Sequence, residues 1–296
     1  MADLYAGIEA GGTKFVAGVA DLSDPSGPRL LIPEVEIPTA APLDTIHTII
    51  EELGIPGGSL SGLGIGAFGP ISLHRTSGDY GLVLDTPKAG WAGTDLLGLV
   101  RSALGLPEGF PVGFDTDVNA AAIAEWRWGA ANGHSTSVYM TVGTGIGGGA
   151  VVHGRPLHGL GHPEMGHVTV RRHPDDDFPG VCDVHGDCLE GLASGPAVEE
   201  RTGTSAALVP DDDPVWEMEA WYLARGLAEI VLVLSPTIIA VGGGVMRREH
   251  LYGRISKHLD DALGGYVEAP EIVKPHFGDR NGLMGAFALA EVAARR

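Results

Sequence analysis

Apolar residues recur along this chain in short blocks whose spacing switches between the two-residue repeat of a strand and the wider repeat of a helix, and glycines mark most block ends. Residues 4–20, LYAGIEAGGTKFVAGVA, set Leu4, Ala6 and Ile8 on one face, then Gly11, Gly12, Thr13 and Lys14, then Phe15, Val16 and Val19. This pattern predicts a β-hairpin whose tip is almost all backbone. Residues 21–29 read as a polar loop and residues 30–37 as a third strand. Leu43, Ile46, Ile49, Ile50 and Leu53 follow at helical spacing. Residues 63–71, LGIGAFGPI, predict a buried strand that runs into a turn at Gly69 and Pro70. Thr94 is placed to cap a helix with Leu97, Val100, Ala103 and Leu104 on its apolar face. Residues 111–128, PVGFDTDVNAAAIAEWRW, predict a short strand over 112–114, a polar turn holding Asp115, Asp117 and Asn119, and an alanine-rich helix.

The second half repeats part of this plan. Residues 138–152, VYMTVGTGIGGGAVV, are again strand, glycine tip, strand, with Gly143, Thr144, Gly145, Gly147 and Gly148 at the tip. Trp216, Ala220, Leu223, Leu227, Ile230, Val231 and Leu234 predict a long amphipathic helix ending at Pro236. Residues 237–245, TIIAVGGGV, predict a buried strand entering Gly242, Gly243 and Gly244, and residues 283–294 a closing helix. Alternating strands and helices make this an α/β chain.

Composition narrows the function classes. A chain of 296 residues is long enough for two domains, each with its own core. No apolar run approaches the length of a membrane span, so a cytoplasmic protein without membrane contact is expected. The formal net charge of −19 argues against a nucleic-acid partner, which needs a basic face. A phosphate ligand stays open, because backbone N–H groups and a bound Mg2+ can hold one without net positive charge.

The candidate chemistry concentrates in residues 161–194, GHPEMGHVTVRRHPDDDFPGVCDVHGDCLEGLAS. His167, Cys182, His185 and Cys188 offer four ligands, tightly enough spaced for one loop to wrap a tetrahedral Zn2+. Four protein ligands leave no open position, so such a zinc would be structural. The competing reading is a small disulfide between Cys182 and Cys188, which needs an oxidising compartment, and residues 1–7 show no export leader. Glu164 and Glu190 flank the loop, where carboxylates can accept from several sugar hydroxyls at once. The two glycine tips read either as plain turns or as phosphate cradles, with Thr13 and Lys14 adding a hydroxyl and a cation. Neither has the spacing of a Walker loop. As a pair they suggest backbone cradles over one polyphosphate. Residues 242–244 can admit the flat face of an adenosine or serve as a strand-to-helix connection. Gly69 lies where α/β sheets commonly meet ligands. Asp117 is the candidate base for a hydroxyl that attacks phosphorus, with helix capping by Asp115 or Asp117 as the competing role.

Taken in order, GIEAGGTK, GIGAFGP, DTDVNAAAIAE, TVGTGIGGG, the stretch from PEMGH to CDVHGDCLEGLASGP, and IIAVGGG resemble the ROK family of sugar kinases, and within it the bacterial fructokinases. The resemblance covers essentially the whole chain. It implies a two-domain actin-like, hexokinase-like (ribonuclease H-like) ATPase fold with an interdomain cleft. The first domain would span residues 1–115 and be completed by a helix over about 283–296. The second would span residues 116–282 and carry the zinc loop. It implies MgATP, with phosphates held by Gly11, Gly12, Thr13 and Lys14 and by Thr144, Gly145, Gly147 and Gly148, and adenosine near Gly242, Gly243 and Gly244. Asp117 matches the family's base, Glu164, His167 and Glu190 its sugar contacts, and His167, Cys182, His185 and Cys188 its zinc ligands.

Three positions depart from the pattern. Glu9 stands where many relatives have an aspartate that helps hold Mg2+ through water. Thr116 stands where glucose-specific relatives have asparagine, which weakens a glucokinase reading. His185 replaces a cysteine and remains a competent ligand. The reading is therefore phosphorylation of D-fructose to fructose 6-phosphate, with a mannokinase or glucokinase of broad hexose specificity as the alternative. A sugar-responsive ROK regulator would need a DNA-binding segment ahead of the first hairpin, for which residues 1–10 leave no room. A homodimer is what relatives suggest.

Overall fold

The computed structural model of the chain describes residues 4–55, 57–86 and 88–295. These residues form two compact units. The first takes in the chain through Gly129, the short segment His158–His162 and the segment from Asp279 to the end; the second takes in Ala130–Leu157 and Pro163–Gly278.

In the first unit, β1 (Leu4–Ala10) and β2 (Lys14–Asp21) form the expected antiparallel hairpin, followed by β3 (Arg29–Pro38), α1 (Pro42–Leu53), β4 (Gly62–Ala67), α2 (Leu96–Ala103), β5 (Val112–Thr116) and α3 (Asp117–Trp128). The sheet order is β3-β2-β1-β4-β5, with β1, β4 and β5 parallel. One face is covered by α3 and by the last helix of the chain, Asn281–Ala294. Gly64 makes that cover possible: a Cβ there would lie 1.8 Å from the carbonyl oxygen of Ala286, so only glycine lets the last helix lie flat on β4. The core on the other face is built from Phe15, Leu63, Ile65, Trp91, Leu96 and their neighbours. Trp91 is fully buried, packs against a tilted Phe15 ring and edge-to-face with Phe68, and donates its indole N–H to the carbonyl of Ala40 at 3.0 Å. Burying a ring of that size is worth about 2–3 kcal/mol.

Two sequence expectations change here. The cap of α2 is Asp95, whose side chain accepts from Gly98 N–H, in place of Thr94. No polar turn separates β5 from its helix: the strand runs to Thr116, the helix starts at Asp117, and Thr116 takes the cap, its hydroxyl accepting from Asn119 N–H. Asp115 and Asn119 are buried as a result. The unit also continues past residue 115, the boundary suggested by the sequence, because α3 packs tightly on the last helix; a Cβ on Gly285 would meet the backbone of Ala120 at 2.4 Å.

In the second unit, β6 (Thr136–Val142), β7 (Ile146–Val152) and β8 (Arg155–Pro156) precede the loop that ends in α4 (Leu189–Ala193). Then come α5 (Gly195–Thr202), α6 (Val215–Leu234), β9 (Ile238–Gly242), α7 (His250–Leu263) and β10 (Glu271–Val273); the last helix is α8. The sheet order is β10-β9-β6-β7-β8. Read from the other edge this is the plan of the first sheet: β6 pairs antiparallel with β7 and parallel with β9, as β1 does with β2 and β4. The weak sequence repeat is therefore a repeat of topology, and both glycine tips join equivalent strands. The helix α6 buries Trp216, Leu223 and Leu227 and packs on α7. Among the described residues no helix is long and apolar enough to cross a membrane.

Candidate functional site

The first unit brings Glu9 and Asp117 to the same edge of its sheet, at the C-terminal ends of the parallel strands β1 and β5, which flank β4. Glu9 is the penultimate residue of β1, and Asp117 opens α3 directly after β5. Asp117 is half-buried, and its Oδ1 accepts from Val118 N–H at 2.8 Å. Glu9 also accepts from the backbone N–H of Leu283, in the first turn of α8. Burial, and next the charge of Asp117, push Glu9 up to about 7, against the opposing pull of Lys14 and the Leu283 N–H. Two carboxylates that feel one another's charge are eased by a cation, and their all-oxygen chemistry suits Mg2+ held through water.

The raised value has a consequence for stability. Glu9 binds its proton more tightly folded than unfolded, so the folded state is favoured at low pH and loses this contribution as pH rises from about 4.5 to about 7. The loss amounts to about 3 kcal/mol at most, at 1.36 kcal/mol per unit. Measured without added Mg2+, the melting temperature of the wild-type protein should fall relative to that of Glu9→Gln across this range. Two parallel curves would show that Glu9 is not perturbed.

The β1–β2 tip is held by backbone bonds: Gly11 N–H donates to Lys14 O at 3.0 Å, and Thr39 bonds the tip twice, N–H to Thr13 O and Oγ1–H to Gly11 O. Thr13 is exposed, and Gly12 has open space where a side chain would be. The ammonium of Lys14 is 2.6 Å from Glu36, an exposed pair that a phosphate would have to compete with. Gly69 is exposed in the turn after β4, joined to Pro70 by a cis peptide, with the ring of His162 against it. Thr116 is buried and its hydroxyl is engaged in the α3 cap.

The second unit carries the remaining residues. Thr144 is exposed at the β6–β7 tip, and the strand β9 ends beside this tip, because β9 pairs with β6 in register Thr141 to Gly242. Gly243 and Gly244 are exposed there. The tip is tied to the loop below it. Gly195 N–H donates to Gly143 O at 2.7 Å, and Glu190, in the first turn of α4, accepts from Ile146 N–H through Oε2 at 2.9 Å. Gly145 permits that bond, since a Cβ there would lie 2.6 Å from the same oxygen. The other oxygen of Glu190, Oε1, lies 4.0 Å from His167 Nε2. Glu164 is exposed one turn before His167, its carbonyl accepting from His167 N–H.

His167, Cys182, His185 and Cys188 converge. Their ligand atoms all lie within 4.8 Å of one another. Cys182 Sγ is 3.7 Å from His167 Nδ1 and 3.9 Å from His185 Nδ1, and Cys188 Sγ is 3.5 Å from His167 Nδ1. A tetrahedral zinc with ordinary Zn–S and Zn–N bonds puts sulfur and nitrogen about 3.6 Å apart, so this donor set fits Zn2+ without rearrangement. Cys182 and Gly186 exchange both backbone bonds, and His185 N–H points to Cys182 Sγ at 3.5 Å, which turns the chain back sharply between ligands. Both cysteines are free thiols; burial pushes Cys188 up to about 11, a cost that a coordinating cation would offset. The loop has further braces. Arg201 grips Asp176 through two bonds of 2.6 and 2.9 Å, and Tyr222 donates to the same carboxylate at 2.5 Å. Burial alone would raise Asp176, yet these donors hold it at about 2. Arg172 bonds Asp187 and the carbonyl of Phe178.

Sequence reasoning passed over His158, which the fold sets against Asp115 at 2.9 Å. Its partner lies 43 positions away, and a histidine in a glycine-rich stretch carries no local sign of a partner. Asp176 and Arg201 were equally silent, being ordinary surface residue types whose pairing depends on tertiary packing.

Comparison with known proteins gives the family. The profile of the ROK family matches residues 5–293. The chain is 41% identical to the fructokinase of Zymomonas mobilis, over 99% of this chain and 98% of that protein. It is 40% identical to the fructokinase of Lactococcus lactis, over 91% of this chain and 89% of the relative. Among solved structures, a ROK family glucokinase from Streptomyces griseus in complex with glucose and AMPPNP is similar with a TM-score of 0.76 and 28% identity, covering 98% of this chain and 99% of that one. The chain belongs to the ROK family.

Proposed function

We propose that this protein is an ATP-dependent hexose kinase that transfers the γ-phosphoryl group of MgATP to D-fructose, giving fructose 6-phosphate. The observation that carries the reading is likeness along nearly the whole chain to relatives named fructokinases, at 40–41% identity. In this reading Asp117 takes the proton from the attacking sugar hydroxyl as its oxygen bonds to phosphorus. Glu164, His167 and Glu190 orient the sugar, helped by the backbone at Gly69 and Thr116. Gly12, Thr13 and Lys14, with Thr144 and Gly145, hold phosphate oxygens through backbone N–H groups and two hydroxyls, while Gly11, whose N–H is taken by Lys14 O, and Gly147 and Gly148, which lie inside β7, shape the two tips. Gly242, Gly243 and Gly244 receive the adenosine. Glu9, with Asp117, would hold Mg2+ through water, and this ion would neutralise charge on the phosphates. His167, Cys182, His185 and Cys188 would hold one structural Zn2+, which fixes the loop that carries Glu164 and leads to Glu190.

The test is ADP release from MgATP with fructose, mannose, glucose and N-acetylmannosamine in parallel, each against a control without sugar. Fructose is expected to give the highest kcat/KM, the ratio that carries discrimination. Equal use of glucose would favour the broader hexokinase reading. No sugar-dependent ADP from zinc-replete protein would overturn the kinase.

A further inference from the structure

Residues His158–His162 follow β8 in the chain yet belong to the first unit. Three histidines fasten this strap. His158 Nε2 lies 2.9 Å from Asp115 Oδ2 and 3.1 Å from Oδ1. The carbonyl of Leu160 is bonded by His74 Nε2. The ring of His162 rests on Gly69, its Nε2 3.6 Å from where a Cβ would stand. The strap thus touches the end of β5, the loop bearing His74 and the Gly69 turn, and two residues beyond His162 the chain reaches Glu164.

Its bond to Asp115 reaches the base. Asp115 is 3% exposed, and a carboxylate so far from water must find donors in the protein. Three reach it, each from a different piece of chain: Thr116 N–H at 2.9 Å from the strand end, Asn119 Nδ2 at 2.7 Å from the first turn of α3, and His158 from the strap. Asn119 is itself fully buried, and its Oδ1 has no hydrogen-bond partner among the described residues. Its amide nitrogen is oriented by Asp115 and lies 3.3 Å from His158 Nε2. The carboxylate that His158 holds consequently fixes both ends of the junction in which Asp117 is the first helical residue.

We propose that His158 is a positioning residue for Asp117, acting through Asp115, and that the strap sets the base-bearing junction in place. The inference rests on the reading of Asp117 as the base. A base displaced by a fraction of an ångström loses its line to the hydroxyl, and such misplacement costs rate more than binding.

The test compares His158→Ala with His158→Gln, whose amide N–H reaches about as far as Nε2. His158→Ala should lower kcat about tenfold or more with fructose KM changed less than about threefold, and should speed amide hydrogen exchange over residues 112–128 in the substrate-free protein. His158→Gln should recover most of both. If His158→Ala does not fold, His158→Met, which fills the space without a donor, takes its place in the comparison. Wild-type kcat and exchange in the donor-free variant would overturn the proposal, as would a glutamine variant no better than it. A wild-type protein without fructose-dependent ADP release would sink the kinase reading instead. The exchange measurement needs no substrate and would still decide whether His158 holds the junction.

Discussion

Asp117→Asn is expected to lower kcat for fructose phosphorylation by about 10^2-fold or more while fructose binding changes little. The asparagine keeps the size of the side chain and an oxygen to accept from Val118 N–H, the bond that Asp117 Oδ1 makes at 2.8 Å. What it loses is basicity. A sugar hydroxyl does not ionise at neutral pH, so without a base the proton must leave to water or to phosphate, both poorer acceptors in that geometry. Structural cost should be small, since Thr116 remains as the cap of α3, and one negative charge lost from a helix N-terminus is worth about 0.3–1 kcal/mol. The neighbouring carboxyl supplies a second readout. The charge of Asp117 is one cause of the raised pKa of Glu9, so in Asp117→Asn the pH-dependent loss of stability assigned to Glu9 should shift to lower pH. The measurement is kcat and KM with fructose, calorimetric titration of fructose in the presence of AMPPNP, and melting temperature against pH without added Mg2+. A variant within threefold of wild-type kcat would remove Asp117 from the role of base.

How much of this was legible in the sequence differs by residue, and the reason is range. The two glycine tips were readable because a hairpin is local: apolar alternation, glycines, apolar alternation need no distant partner. The repeat that they hinted at is borne out as a repeat of sheet plan, β3-β2-β1-β4-β5 against β8-β7-β6-β9-β10. Leu43, Ile46, Ile49, Ile50 and Leu53 signalled α1 just as locally, whereas the apolar positions of α7 went unread. Caps were harder. Thr94 and Asp95 are both good caps, as are Asp115, Thr116 and Asp117, and the choice among them depends on where the preceding segment stops, which tertiary packing decides. Hardest was the segment His158–His162, whose place in the first unit is set by Asp115, His74 and Gly69, all far away in sequence. The convergence of His167 with Cys182, His185 and Cys188 lay between these extremes, since three ligands fall within seven residues and only His167 had to be brought from further off.

Removing metal from these four residues is the other change expected to have a large effect, and it should act on stability and fructose affinity together. The sulfur–nitrogen distances of 3.5 to 3.9 Å match a tetrahedral Zn2+, so the loop has the shape that such an ion would need. Without the cation, two thiols and two imidazoles crowd within 4.8 Å with little to bind them to one another, and the thiol of Cys188 is buried. Structural zinc contributes its binding energy to folding directly. Here the loss should be smaller than in a zinc finger, because Arg201 with Asp176 and Arg172 with Asp187 brace the loop independently of metal. A cost of several kcal/mol, or a fall in melting temperature on the order of 10 °C, is the expected scale. Affinity should follow because His167 Nε2 stands 4.0 Å from Glu190 Oε1, while Oε2 stays tied to Ile146 N–H. Glu190 would keep its anchor on the glycine tip and lose the ordered imidazole beside it, and Glu164 would lose the fixed turn that ends at His167. Fructose affinity is therefore expected to fall about tenfold, and Cys188→Ser should reproduce both effects without a chelator. The measurement is elemental analysis for zinc, with calorimetric titration of fructose and a melting curve on the same samples. If protein stripped to under about a tenth of an ion per chain kept both its melting temperature and its affinity, these residues would not hold a structural zinc of the kind set out by their donor chemistry.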